Sequence, residues 1–194
     1  MKRLESALPL FLLLFALTLA VFSCVSQNRS DKTSLVLDVP IEGPLHLIFA
    51  GDIMAHNVNF QMHNYNDIYQ DVKALLVSDD VTFGNLEMPV ADNLPMSTYP
   101  RFNVHSSYVK AAIDGGFDVF SLANNHSNDQ GLSGIAGTLT AMKFLSPRGF
   151  SGLRASDDVP ETMVPSIIEF RGWRILYLSV TEILNSFDSS RKGV

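Results

Sequence analysis

Three short apolar runs, each ending in a polar cluster and separated from the next by a helical pattern, constrain the fold of this chain more than any other feature. Leu45–Ala50 ends at Gly51-Asp52, Val81–Phe83 ends at Gly84-Asn85-Leu86-Glu87, and Asp118–Ala123 ends at Asn124-Asn125-His126. Between the first two, Ile68, Tyr69, Val72, Leu75 and Leu76 fall on one helical face. Between the second and third, Tyr108, Val109, Ala112 and Ile113 form another stripe, stopped by Gly115-Gly116. Leu132, Ile135, Leu139 and Met142 mark a third helix, with Pro147 and Gly149 beyond it. Strand–helix–strand alternation predicts an α/β fold with a parallel sheet covered by helices. Two later β-rich runs, Pro165–Phe170 and Trp173–Val180, joined by Arg171-Gly172, predict a hairpin or adjacent strands. If the first three strands lie parallel, their polar ends converge on one edge, where open α/β sheets bind ligands.

Composition narrows the chemistry. The chain has 194 residues, is 46% hydrophobic and 18% charged, and carries a net charge of −6. This describes a globular body without the basic surplus that nucleic-acid binding needs, so no nucleic-acid partner is expected. The single cysteine excludes an internal disulfide framework and a cysteine-based zinc site. It is Cys24, placed directly after the apolar run Ala7–Phe22, which follows Lys2 and Arg3. That run is shorter than the about 20 residues a bilayer-spanning helix requires and suits a signal-peptide core. Residues 1–24 therefore read as a signal peptide, with Cys24 in a relaxed lipobox and open to lipidation; an ordinary secretory leader or an uncleaved anchor is the alternative. Residues 25–44 read as a polar tether, and 45–194 as the folded body. The expected location is the cell envelope, outside the inner membrane, lipid-anchored or secreted.

The converging residues are two carboxylates, amide oxygens and an imidazole, a donor set suited to Mn, Fe, Zn or Mg. One or two such ions could clamp a phosphoryl oxygen and activate water. Asp52 and Glu87 would supply charge, Asn125 a neutral ligand, and His126 a proton for a leaving oxygen. Each also has a plainer reading. Gly51-Asp52 and Gly84-Asn85 could be strand-to-loop turns, Asn124, Asn125 and Asn128 could be caps, and Asp129 could cap the helix near Leu132. His56 and His63 could be loop histidines, Asp79-Asp80 and Asp157-Asp158 solvated charges, and Trp173 a core residue.

GDIMAH (51–56), GNLE (84–87) and NNHSNDQG (124–131), with YPRFN (99–103) and GGFDVFSLA (115–123) between, resemble the bacterial capsule synthesis protein CapA family. That family includes proteins of poly-γ-glutamate capsule production and is related to the calcineurin-like metallophosphoesterases. The resemblance implies a layered metallophosphoesterase-like sandwich acting in capsule or poly-γ-glutamate-type polymer biosynthesis, beside a membrane polymer synthase. It implies metal ligation by Asp52, Glu87, Asn125 and His56, catalysis by His126, and supporting roles for Asn85, Asn124 and Asp129. A non-catalytic scaffold or polymer-binding lipoprotein of the same fold is the alternative. The family's later His-Trp-Gly-like and Gly-His-x-His-like segments are not found before Val194. The expectation is thus a domain lacking its C-terminal portion, with an unpaired sheet edge, weak metal binding and little activity in this form.

Overall fold

The computed structural model describes residues 43–154 and 165–185. Expectations for the leader, for Cys24, for nearly all of the tether and for Asp157-Asp158 lie outside the described residues. Four strands, β1 (Leu47–Ile53), β2 (Val81–Leu86), β3 (Val119–Ser121) and β4 (Gly149–Ser151), form one sheet in the order β1-β2-β3-β4, every neighbour parallel. The chain crosses from β2 to β3 through α3 (Ser106–Gly115) and from β3 to β4 through α4 (Gly131–Leu145). The fold is mixed α/β with a parallel sheet, as the strand–helix alternation predicts.

The inner strands β2 and β3 are covered on both faces and buried almost throughout, while β1 at the sheet edge is largely exposed. Leu86 and Phe120 point to a core shared with Tyr108, Val109 and Ala112 of α3 and with Ile135 and Met142 of α4. Val81, Phe83 and Val119 point the other way, against Ile168, Phe170, Ile175 and Tyr177. Those residues belong to an antiparallel hairpin, β5 (Ser166–Phe170) and β6 (Trp173–Tyr177). Its Arg171-Gly172 turn holds both residues at positive φ, the conformation that suits a two-residue connection between right-twisted strands. Gly84 sits within β2 because a Cβ there would lie 2.7 Å from the Phe117 ring and 2.9 Å from Ile53 Cδ1.

Several local expectations give way to tertiary contacts. The helix expected over 67–77 is broken into a 3-10 turn at Tyr65–Ile68 and a single turn, α2 (Lys73–Leu76). Only Tyr69 and Leu76 of its stripe are buried, while Val72 and Leu75 face solvent. A second single turn, α1 (Asn57–Phe60), precedes it. Strand β4, with glycine at its start and only three residues, carries no periodicity by which to foresee it. Trp173 is a partly exposed residue whose Nε1 donates to the Gly43 carbonyl at 3.2 Å, not a core residue.

Asp79 and Asp80 are structural pins rather than solvated charges. Asp79 Oδ2 accepts from the Ile48 amide at 3.0 Å and from Thr82 Oγ1 at 2.9 Å. Asp80 Oδ2 accepts from the His46 amide at 2.9 Å, and its Oδ1 meets Arg171 at 3.1 Å. The His46 N–H and the Arg171 guanidinium hold the Asp80 carboxyl below the usual carboxylate range. These contacts tie the start of β1 and the hairpin turn to the loop before β2. Arg148 adds a second tie, pairing with Asp118 at 2.9 Å while lying 4.6 Å over the Phe170 ring.

Candidate active site at the carboxyl edge of the sheet

A β-bulge decides where Asp52 points. Phe49 pairs with Phe83, yet Asp52 pairs with Asn85, so β1 carries one more residue than β2 across this interval. Side chains alternate faces along a strand, and the extra residue moves Asp52 onto the face of Asn85 and Phe83. Asn85 is in turn in register with Ser121. Gly51-Asp52 and Gly84-Asn85 are therefore strand residues, not turns.

Amide side chains link this row to the loop after β3. Asn85 Nδ2 donates to Asp52 Oδ1 at 2.8 Å. Asn124 Nδ2 donates to Asn85 Oδ1 at 3.2 Å and to the Leu86 carbonyl at 2.9 Å. Asn124 Oδ1 accepts the His126 amide at 3.1 Å, closing an Asx turn. Ser127 Oγ completes the knot, accepting from the Asn124 amide at 2.8 Å and donating to the Leu122 carbonyl at 2.6 Å. Asn124 is thus a clamp between two strand ends.

His126 and Asp129 form a buried pair. His126 Nδ1 lies 2.8 Å from Asp129 Oδ2, and their side chains are 10% and 0% exposed. The same Asp129 oxygen accepts the Phe102 amide at 2.8 Å. Arg101 Nε donates to the Asp129 carbonyl at 2.9 Å. Burial pushes the Asp129 carboxyl up, against the opposing pull of the Phe102 N–H and the imidazole. Asp129 does not cap α4, whose N-cap is Gln130 with no side-chain bond. An ionised Asp129 accepts a hydrogen bond from Nδ1–H and leaves Nε2 as the working nitrogen. The Phe102 ring stands perpendicular to the imidazole, centroids 4.8 Å apart.

Glu87 follows Leu86 at the end of β2, its amide donating to the Ile53 carbonyl at 3.1 Å. Its carboxyl is pushed up to about 7, first by burial and then by the Asp52 carboxyl beside it; His126 pulls in the opposite direction. The structure thus brings Asp52, Asn85, Glu87, Asn124, His126 and Asp129 to one edge. Asn125 is present through its backbone, its carbonyl accepting the Asn185 amide at 2.7 Å. His56 is exposed and touches the cluster through Phe102, ring to ring at 5.2 Å. Among the described residues, no three or more His, Cys, Asp or Glu side chains are grouped to hold a metal ion.

Two participants carry no mark in the sequence. Phe102 lies inside YPRFN, but nothing in the text of that stretch shows that its ring meets two histidines. Asn185 is a lone asparagine beyond β6, without spacing or motif to single it out; its Nδ2 lies 3.2 Å from His126 Nε2.

Residues 46–194 match the family model described as bacterial capsule synthesis protein PGA_cap. The chain belongs to that family. The capsule biosynthesis protein CapA of Bacillus anthracis is 33% identical over 108 residues, an alignment covering 51% of this chain and 26% of that protein. The chain therefore spans about a quarter of the relative's length. The three strand-end clusters and the Phe102 loop all fall within the stretch matched by the PGA_cap family. Among the described residues, no helix is long and apolar enough to cross a membrane.

Proposed function

We propose that this PGA_cap member acts in capsule or poly-γ-glutamate-type polymer biosynthesis at the cell envelope, through a hydrolase-like site on the carboxyl edge of its sheet. The observation that carries the reading is the meeting of the buried His126–Asp129 pair with the Asp52–Glu87 carboxyl pair, joined through Asn85 and Asn124. The body is read as part of a layered metallophosphoesterase-like sandwich. The family membership and the named CapA relative support the polymer. The leader and Cys24 support export and a lipid anchor, which would place the domain beside a membrane synthase.

The donors at the edge fit a divalent ion in part. Glu87 is raised first by burial and then by Asp52 beside it, and a cation would relieve both the desolvation and the repulsion of the ionised pair. Two carboxylates with water suit Mg or Mn, which need few protein ligands. Asp52 and Glu87 would hold the ion, with Asn125 as a neutral ligand and His56 as the outermost candidate. A divalent ion bound there supplies Lewis-acid polarisation of a phosphoryl oxygen. Asn85 orients Asp52, and Asn124 holds Asn85. In its imidazolium form His126 delivers the Nε2 proton to the leaving oxygen, while Asp129 accepts from Nδ1–H and steadies that imidazolium.

Calorimetric titration of the full chain with Mn2+ tests this. Wild type is expected to bind, and Asp52→Asn and Glu87→Gln to lose about 10-fold or more in affinity. Absence of binding by wild type would remove the metal site. A non-catalytic scaffold or polymer-binding lipoprotein of the same fold is the second reading. Under that second reading, a His126→Ala, Asp52→Ala double variant restores surface polymer to a deletion strain; under the first it does not.

A further inference from the structure

Asn185 stands in an unusual relation to His126. Its Nδ2 is 3.3 Å from Nδ1 and 3.2 Å from Nε2. An atom equally distant from both nitrogens and in the ring plane would overlap Cε1. The amide therefore lies out of the ring plane, against a face of the imidazole. In-plane directions are left to the nitrogens themselves: Nδ1 to Asp129, Nε2 to the site. The Asn185 backbone is fixed independently, its N–H donating to the Asn125 carbonyl at 2.7 Å. The segment carrying it is anchored where it leaves β6. Ser179 Oγ lies 2.6 Å from Ser121 Oγ, and the Ser179 amide donates to Ser151 Oγ at 3.3 Å.

The imidazole is thus held from three directions by three parts of the chain. Phe102 packs perpendicular to it from the loop before α3. Asp129 bonds Nδ1 from its own loop. Asn185 covers a face from beyond the hairpin. Asp129 alone fixes which nitrogen carries the proton but leaves the ring able to tilt about that one bond. A polar contact over the face removes the tilt without occupying Nε2.

We propose that Asn185 is a positioning residue for His126, closing over the imidazole face so that Nε2 stays aimed along the sheet edge. The inference rests on the proton-donating role given to His126 above, and its test separates the two. The full chain is labelled with 15N-histidine and the imidazole resonances are recorded, with His126 assigned by their loss in His126→Gln. In alkaline buffer, where the ring is neutral, wild type is expected to show one protonated and one unprotonated ring nitrogen, sharply resolved. Asn185→Ala and the near-isosteric Asn185→Leu should each broaden or merge them, with thermal unfolding checked in parallel. Either variant alone decides the outcome if the other fails to fold. With Mn2+ and p-nitrophenyl phosphate, kcat should fall roughly 10-fold at unchanged KM. Changed ring resonances without any wild-type hydrolysis would keep the positioning role and remove the hydrolase reading. Unchanged ring resonances in a folded variant, with or without lost activity, would overturn the positioning role.

Discussion

Replacing Glu87 with glutamine should make the folded chain less sensitive to alkaline pH. The carboxyl is raised from its ordinary range to about 7, by burial and by Asp52 beside it. At low pH the proton is on Glu87 in both folded and unfolded chains, and this group's contribution is fully present. As pH rises past the ordinary carboxylate range, the unfolded chain releases the proton while the folded chain keeps it. Stability is therefore lost until the folded group also ionises near 7. A shift of this size in a fully buried acid corresponds to roughly 3 kcal/mol, at about 1.4 kcal/mol per pH decade. Glu87 is only partly buried, so solvent screening reduces the expected effect to about 1 kcal/mol. Urea unfolding in chelator-treated buffer at about pH 5 and about pH 8 measures it directly. Wild type should lose about 1 kcal/mol more than Glu87→Gln over this interval. Asp129 also titrates upward, but it is common to both proteins and cancels. Parallel profiles would mean that neither burial nor Asp52 raises Glu87, and the carboxyl pair would drop out of the site.

Three further outcomes follow from the same geometry. Asp129→Asn should lower kcat for phosphomonoester hydrolysis by about 100-fold, because the amide no longer enforces a proton on Nδ1; full activity would exclude the pair from catalysis. Gly84→Ala should destabilise the fold by about 1–3 kcal/mol, since its Cβ meets the Phe117 ring and Ile53; a neutral change in thermal unfolding would show that the strand can shift to admit a methyl. Metabolic labelling with palmitate should mark the wild-type chain and not Cys24→Ala, and equal labelling of the two would end the lipoprotein reading.

Much of the site is legible in the amino-acid sequence because its residues sit at strand ends. Apolar runs closing in Asp52, Glu87 and Asn125-His126 need only the parallel-sheet rule to bring them to one edge, and the folded chain does bring them there. The helical stripes of α3 and α4 are readable because each buries a face against the sheet, although Leu132 at the start of the α4 stripe is exposed. The stretch between β1 and β2 is not, because it meets the core at separate points, with Tyr69 and Leu76 buried and Phe60, Tyr65 and Ile68 partly buried. Apolar spacing there records those points of burial and not a continuous helix.

Residue order alone determined the α/β alternation, the edge on which the polar clusters gather and the family to which they belong. Only the tertiary structure decided which face of that edge each side chain occupies. A single extra residue in β1 turns Asp52 toward Asn85, and a bulge leaves no mark in a hydrophobic pattern. Pairing His126 with Asp129 could be guessed from their spacing, yet burying Asp129 required the Phe102 amide from a distant loop. Asn185 reaches the same imidazole only because the hairpin folds back onto the sheet. Strand ends are local properties of the text; faces, bulges and ring contacts depend on neighbours that come together only when the chain has folded.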